Sequence, residues 1–486
     1  MNFKSLLSGS ALMLCAALTL SACSTNPATG DRQFTALMSP AQENTVGAQE
    51  HAKIIQQYGL YDNKEAQDYV TRIGRKVTAD TERPDVEYKF FVIDSPIVNA
   101  FALPGGYIYI SRGLLALANS EAELAGVLGH EAGHITARHS AERYSHATVT
   151  SLGAGILGAV VGNSGVSQAL NLGSNLYLSS YSRGQENQSD TLGIRYLAKA
   201  GYDPRGMEWF LTNLKNHAAL QASAAGKSSG PAISYFSTHP ATADRVAKTQ
   251  REAAAYGGQG IVNRDKFLRV IDDITFGDGT EKGFVRKGTF YHPPLGFAYK
   301  VPSGFKVNNQ PSKVVMTNNA GAALLFDMDK NAGRHDAKTY MTQIWMKGGS
   351  QLKDVQNVTV NGMRAATARF DGKVNGKAME VRIVAIEFEP ERIARFLVGI
   401  PPGTQNAQIE ALKSATYSFR RLSKSEQKAV TPPRIEIVAA APGDTVAKFA
   451  KRMVVEDLKE ETFRVYNALG PNEELRAGEV YKIIIH

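Results

Sequence analysis

Cysteine is almost missing from this chain. Its 486 residues include two, Cys15 and Cys23, both near the N-terminus. No intrachain disulfide can therefore brace the folded part, which must hold together through its cores. Long apolar runs are missing too. Beyond the N-terminal segment, no stretch reaches the roughly 18 unbroken apolar residues that a membrane-spanning helix needs. The glycine-rich "SLGAGILGAVVG" (151–162) is too short to span and reads as a packed helix or a flap. The net charge is +9, from 55 basic and 46 acidic residues, yet no stripe is dense in Arg and Lys. That argues against nucleic-acid binding and leaves a mildly basic surface suited to an anionic membrane or wall. Residues 280–486 carry no helical repeat of about 34 residues, which excludes a tetratricopeptide platform.

What is present begins at residue 1. "MNFKSLLSGSALMLCAALTLSACSTNPATG" has a basic start at Lys4, an apolar run from Leu6 to Leu20, and then Leu20-Ser21-Ala22-Cys23. This is the pattern of a secretory signal. The small residues before Cys23 resemble a bacterial lipobox, which implies that Cys23 becomes the lipidated first residue of the mature chain. Ser24, rather than Asp, then implies outer-membrane sorting. Hydrophobic patterning divides the rest. After the signal at 1–22 comes a tether at 23–39, and then a mainly α-helical domain with a small sheet at 40–278. An α+β domain built on an antiparallel sheet follows at 279–422. A polar linker at 423–433 leads to a small strand–helix–helix–strand domain at 434–486.

The chemistry concentrates in "GVLGHEAGHITARHS" (126–140). Ser120 and Glu123 form a capping-box pattern ahead of it, and Leu124, Val127, Leu128 and Ile135 supply an apolar face. His130 and His134 are four apart and share one face of a helix, so they can bind one zinc ion. Glu131 points about 100° away, within reach of a zinc-bound water. Zinc lowers the pKa of such a water to about 7, and Glu131 can take its proton and pass it to a leaving amine. Gly129 and Gly133 weaken a helix interior, which is understandable if substrate and metal approach the backbone there. A catalytic zinc needs a third protein ligand. His139 lies about 140° round the helix from His134, which excludes it. Glu186 and Asp190 share a face of a later helix. One can bind zinc while the other fixes the tautomer of a ligating histidine.

"NAFALPGGYIYISRGLL", "ELAGVLGHEAGHITARHS" and "SRGQENQSDTLGIRYLAKAGYDP" resemble the gluzincin family of the CaaX prenyl protease and the bacterial heat-shock membrane protease. The similarity is greatest to its periplasmic branch, which acts in outer-membrane protein assembly and quality control. The resemblance covers about residues 25–255. It implies His130, His134 and Glu186 as zinc ligands, one zinc per chain, Glu131 as base, and Asp190 as the outer partner of a ligand. In "FSTHPATADRV" it implies that His239 lies near the active site, occluding zinc or stabilising an oxyanion. The C-terminal segment resembles a LysM module through Gly443-Asp444-Thr445, Asn467-Ala468-Leu469 and Leu475 to Ile483, which implies binding of peptidoglycan glycans.

These readings converge on a lipid-anchored zinc endopeptidase of the Gram-negative periplasm, held to the inner leaflet of the outer membrane. Its expected substrates are unfolded or misassembled envelope proteins. The alternative is an anchored chaperone or scaffold whose zinc site is occluded or little used. One further expectation concerns substrate. The strand Tyr107, Ile108, Tyr109, Ile110, entered through Pro104-Gly105-Gly106, is expected to be an open edge on which an extended peptide pairs.

Overall fold

The computed structural model describes residues 24–161, 179–225, 235–240, 242–257, 259–374, 377–455 and 457–486. The signal segment and Cys23 lie outside the described residues. No helix among those described is long and apolar enough to cross a membrane. Two compact units form. One joins the chain up to Ile274 with Ile435–Ile485, and the other spans Thr275–Arg434 and takes in His486.

The first unit opens with helices α1 (Pro40–Tyr58) and α2 (Lys64–Thr78), each begun by a side-chain cap, Ser39 and Asn63. A small sheet follows, built from β1 (Lys89–Ile93), β2 (Ala100–Leu103) and β3 (Tyr107–Ser111). Its order is β1–β3–β2, with β1 parallel and β2 antiparallel to β3. The expectation of an open edge at Tyr107, Ile108, Tyr109 and Ile110 therefore fails. Gly105 and Gly106, at φ +77° and +93°, fold β2 back onto β3, so β3 is the central strand and is paired on both sides. The outer side of β1 is covered as well: the Gln67 side chain accepts from Val92 N and donates to Phe90 O. The remaining edge among the described residues is β2.

Short α3 (Arg112–Leu117) leads into α4 (Glu121–Thr136), which carries His130, Glu131 and His134. The capping box forms by half. Ser120 Oγ accepts from Glu123 N at 3.1 Å, but the Glu123 carboxylate accepts from Asn119 N at 3.0 Å instead of Ser120 N. Every residue of α4 is buried, so the apolar face expected from its leucines merges into a core on all sides. Next come α5 (His139–Val161), which the glycine-rich stretch continues, α6 (Arg183–Lys199) and α7 (Gly206–Ala225). The alanine-rich end of α7 stays helical to Ala225, in keeping with the helix preference of alanine. Two more helices, α8 (Tyr235–Thr238) and α9 (Ala243–Ala255), bracket His239.

Gly129 and Gly133 have a different cause from the one expected. A Cβ at Gly129 would lie 3.1 Å from Gly193 O and Leu197 Cδ1, and one at Gly133 3.1 Å from Ser189 Cα. Both face α6. They let two helices cross closely, which sets how near Glu186 and Asp190 stand to the α4 histidines.

The C-terminal segment has the order strand Arg434–Ala439, α10 (Val446–Arg452), α11 (Lys459–Tyr466), strand Val480–Ile485, and its two strands pair. It is tied into the same unit by a buried lysine. Lys482 Nζ donates to the carbonyls of Ala116, Leu117 and Ala118 at 2.9, 3.2 and 2.8 Å, where a cation complements the end of α3. The stretch expected as a linker, 423–433, includes a helical turn, Lys424–Ala429, because Ser423 and Glu426 cap each other.

The second unit holds a seven-stranded antiparallel sheet. Its order is Lys353–Val360, Met363–Val374, Lys377–Glu389, Arg392–Ile400, Ala323–Lys330, Lys313–Thr317, Lys306–Gln310. A four-stranded sheet and the helix Asn406–Tyr417 accompany it. Its core is aromatic, with Phe297, Tyr299, Phe326, Phe388, Phe396 and Phe419 in mutual contact.

A buried candidate metal centre

His130, His134, Glu186 and His239 each offer a ligand atom, and these atoms all lie within 4.8 Å of one another. Nε2 of His130 is 3.1 Å from Nε2 of His134, 3.6 Å from Glu186 Oε2 and 3.2 Å from His239 Nδ1. Glu186 Oε1 is 3.5 Å from His134 Nε2 and 2.8 Å from His239 Nδ1. Ligand atoms held tetrahedrally at about 2.0–2.1 Å from one metal ion would sit about 3.3 Å apart. The cluster therefore has the size, donor types and convergence of a metal site. Both oxygens of Glu131 are buried without a well-aligned hydrogen bond to a protein group. Buried polar atoms are rarely left so, and their place beside the cluster fits a metal and its reactants.

The outer partners fix which nitrogen of each histidine faces inward. His130 Nδ1–H donates to Asp190 Oδ1 at 2.9 Å, leaving Nε2 as the lone-pair donor. Asp190 in turn takes Arg245 Nε and Nη2 at 2.8 and 2.7 Å, and Arg245 Nη1 lies 2.6 Å from Glu186 Oε2. His139 does the same for His134. Its Nε2–H donates to Gln188 Oε1 at 2.7 Å, so its Nδ1 accepts from His134 Nδ1–H at 2.8 Å, and His134 Nε2 is left for a metal. His139 is not a member of the cluster, as expected, though for another reason. α4 stops at Thr136 and the chain turns at Arg138, φ +57°, so a helical projection from His134 does not apply.

Burial and charge oppose each other throughout the site. Burial lowers the His130 pKa, but the Asp190 hydrogen bond and the Glu186 charge outweigh it and leave it raised. Burial dominates at His134, which is pushed well below its usual value. Burial would raise Glu186, but His239 and the other histidines hold it well below the usual carboxylate range. Glu131 is raised by burial, only partly opposed by His239, whose Nε2 stands 3.7 Å from Oε1.

Sequence reading missed three neighbours. Tyr181 stacks on His134 with ring centroids 3.6 Å apart, and Tyr235 stacks on His239 at 4.5 Å. Neither has a sequence signal. Arg245 does: a cation in the first turn of a helix opposes the helix dipole, so it needs carboxylates nearby. The strand residues Tyr107 to Ile110 are paired on both sides within the sheet. The strand β2 comes closer, because Ala102 shares a small cavity with His134 and Arg138.

Several proteases share sequence with part of this chain. A beta-barrel assembly-enhancing protease of Yersinia pestis is 31% identical over 158 residues, covering 30% of this chain and 32% of its own length. The mitochondrial metalloendopeptidase OMA1 of Schizosaccharomyces pombe is 31% identical over 182 residues, 37% of this chain and 51% of its own. The metalloprotease LoiP of Escherichia coli K12 is 29% identical over 198 residues, 40% of this chain and 73% of its own. The chain thus spans about a third of the first relative's length and about half of the second's. Residues 64–253, the stretch that holds His130, Glu131, His134, Glu186, Asp190, His239 and Arg245, match the sequence profile of Peptidase family M48.

Proposed function

We propose that this chain is a zinc-dependent endopeptidase of the bacterial cell envelope, of gluzincin HExxH type, acting in the quality control or assembly of envelope proteins. The observation that carries this is the convergence of His130, His134 and Glu186 beside Glu131, a fully buried carboxylate. Two imidazoles and a carboxylate suit zinc. When bound there, zinc would supply Lewis acidity to a water and to a scissile carbonyl. Glu131 takes the proton of the attacking water and delivers it to the leaving amine. Its raised pKa brings it nearer the range in which one group serves as both base and acid. Asp190 and His139 hold the two histidines in the ligating tautomer, and Arg245 holds Asp190. An extended substrate would pair with β2, whose alternate backbone groups face away from β3. Lipidation at Cys23, residence in the periplasm at the outer membrane, and misassembled envelope proteins as substrates belong to the same proposal.

The test uses the full chain with casein as an unfolded probe. Cleavage should stop on chelation, return with zinc, and be missing in Glu131→Gln. Equal cleavage by the chelated and loaded proteins would overturn the reading.

One observation favours a second reading, an anchored chaperone or scaffold with an occluded site. His239 Nδ1 occupies the fourth corner of the cluster, 2.8 Å from Glu186 and 3.2 Å from His130. If His239 plugs the site, His239→Ala should raise casein cleavage. If it assists the reaction, the same change should lower it.

A further inference from the structure

Residues 24–38, expected as a tether, are folded against the turn that ends α4. Ser24–Thr25 pairs with Arg32–Gln33. Arg138, at φ +57° in that turn, donates from Nη2 to Met38 O at 2.6 Å and from Nη1 to Thr35 Oγ1 at 3.2 Å. Leu37 N donates to Ser145 Oγ on α5 at 3.2 Å.

Within this strap Asn26 is only 3% exposed, and its amide has a settled orientation. Ala28 N can only donate, and it donates to Asn26 Oδ1 at 3.0 Å. The carbonyl of Ala137 can only accept, and it takes Asn26 Nδ2 at 3.3 Å. Nδ2 also faces Gln188 Oε1 on α6 at 3.3 Å. A donor there requires that Gln188 present its oxygen. Gln188 Nε2 then turns the other way, towards Thr29 Oγ1 and Asp31 Oδ2, both at 3.4 Å and both on the strap. The inward Oε1 is the atom that takes His139 Nε2–H at 2.7 Å.

The opposite orientation of Gln188 has a definite consequence. In a neutral imidazole one nitrogen donates and the other accepts. With Gln188 Nε2 turned inward, His139 Nε2 would have to accept, and the His139 proton would move to Nδ1. His134 Nδ1, 2.8 Å from it, would then have to accept as well. That puts the His134 proton on Nε2, the nitrogen that points into the cluster.

We propose that the strap is a positioning element of the metal centre, and that Asn26, acting through Gln188 and His139, sets which nitrogen His134 presents to the metal. The inference rests on reading the cluster as a metal centre. Asn26 touches neither metal nor substrate; it acts at the end of a chain of three side chains.

Two measurements on the full chain test it. In metal-free protein labelled with nitrogen-15 at histidine, proton–nitrogen correlation spectra read each tautomer. His134 should carry its proton on Nδ1 in the parent. In Asn26→Leu, which removes the donor at similar size, a second form protonated at Nε2 should appear. Zinc affinity, from competition with a chelator, should fall by about tenfold, the low end for loss of an outer partner. Asp31 is exposed, so Asp31→Lys spares the fold. A lysine there draws Gln188 Oε1 outward, and affinity should fall by about threefold, as befits a solvated contact. A tautomer shift in Asn26→Leu alone makes Asn26 the setting residue, and a shift in both variants adds Asp31; either supports the relay. An unchanged His134 tautomer in every variant that folds overturns it, even where Asn26→Leu melts lower, because Asn26 would then serve stability alone. A parent with the expected tautomers that binds no zinc would overturn the proposed function and leave the relay standing.

Discussion

Glu121 and Glu131 stand at opposite ends of the same helix, α4, and both are buried, at 1% and 0% exposure. They differ in their partners. Glu121 accepts from the hydroxyls of Tyr69 and Tyr202, each at 2.6 Å, and from Arg72 at 3.2 and 3.3 Å. Burial would raise its pKa, but Arg72, Tyr202 and Tyr69 bring it down to about 2. Glu131 has no such set of well-aligned partners, and burial, only partly opposed by His239 and the Tyr235 hydroxyl, leaves it raised. A satisfied buried carboxylate is a fastening. An unsatisfied one, beside converging ligand atoms, is a place where chemistry can occur. Two arginines repeat the contrast. Arg395 bridges Asp327 and Asp329 at 2.7–2.8 Å in the sheet unit, with no histidine cluster beside it. Arg245 bridges Asp190 and Glu186 against three histidines.

The largest effect should come from Glu131. On the proposed assignment, Glu131→Gln lowers kcat/KM by about 10²–10⁴, while bound metal, counted by native mass spectrometry, stays at one per chain. Its melting temperature should hold or rise, because a buried carboxylate whose contacts do not offset its burial is neutralised. A mutant that loses metal or melts far lower would show Glu131 to be a fastening like Glu121, and the comparison would break.

Glu186→Ala should abolish metal binding. Asp190→Ala and His139→Ala should each weaken it by roughly 10–100-fold, because each leaves a ligating histidine free to turn or change tautomer. Competition with a chelator of known affinity measures all three. Equal loss in Asp190→Ala and Glu186→Ala would mean that the ligand and its supporter are misassigned.

Much of this centre was legible in the sequence because it depends on short spacings. His130 and His134 at i and i+4, and Glu186 and Asp190 likewise, follow from helix geometry alone. The antiparallel sheet of the second unit was legible from alternation. What was not legible depends on pairings between distant segments. Whether Tyr107–Ser111 is an edge depends on where β2 folds back. The role of Gly129 and Gly133 depends on α6 crossing α4. The partnership of His139 with His134 depends on where α4 ends. The C-terminal segment reads as a separate module, but nothing local reveals that Lys482 reaches the carbonyl end of α3.

The smallest effect should come from Glu121, and it should show in stability rather than turnover. Its pKa in the folded chain, about 2, is below the value of about 4.3 expected when unfolded. A depressed carboxylate pKa gives stability that is fully present above the unfolded value. That stability is lost as the pH falls through the folded one. The window is therefore about pH 4.5 down to 2. Arg72 is 45% exposed, so solvent screens part of the interaction. About 2 kcal/mol is then the expected contribution at neutral pH. Glu121→Gln should lower the stability measured by urea unfolding by about this amount at pH 7, and the gap to the parent should narrow between pH 4.5 and pH 3. Metal content should be unchanged, since Glu121 lies at the far end of α4 from His130 and His134. A gap that stays constant with pH would mean that packing, not charge, is what Glu121 contributes, and the contrast with Glu131 would then rest on shape rather than on hydrogen bonding.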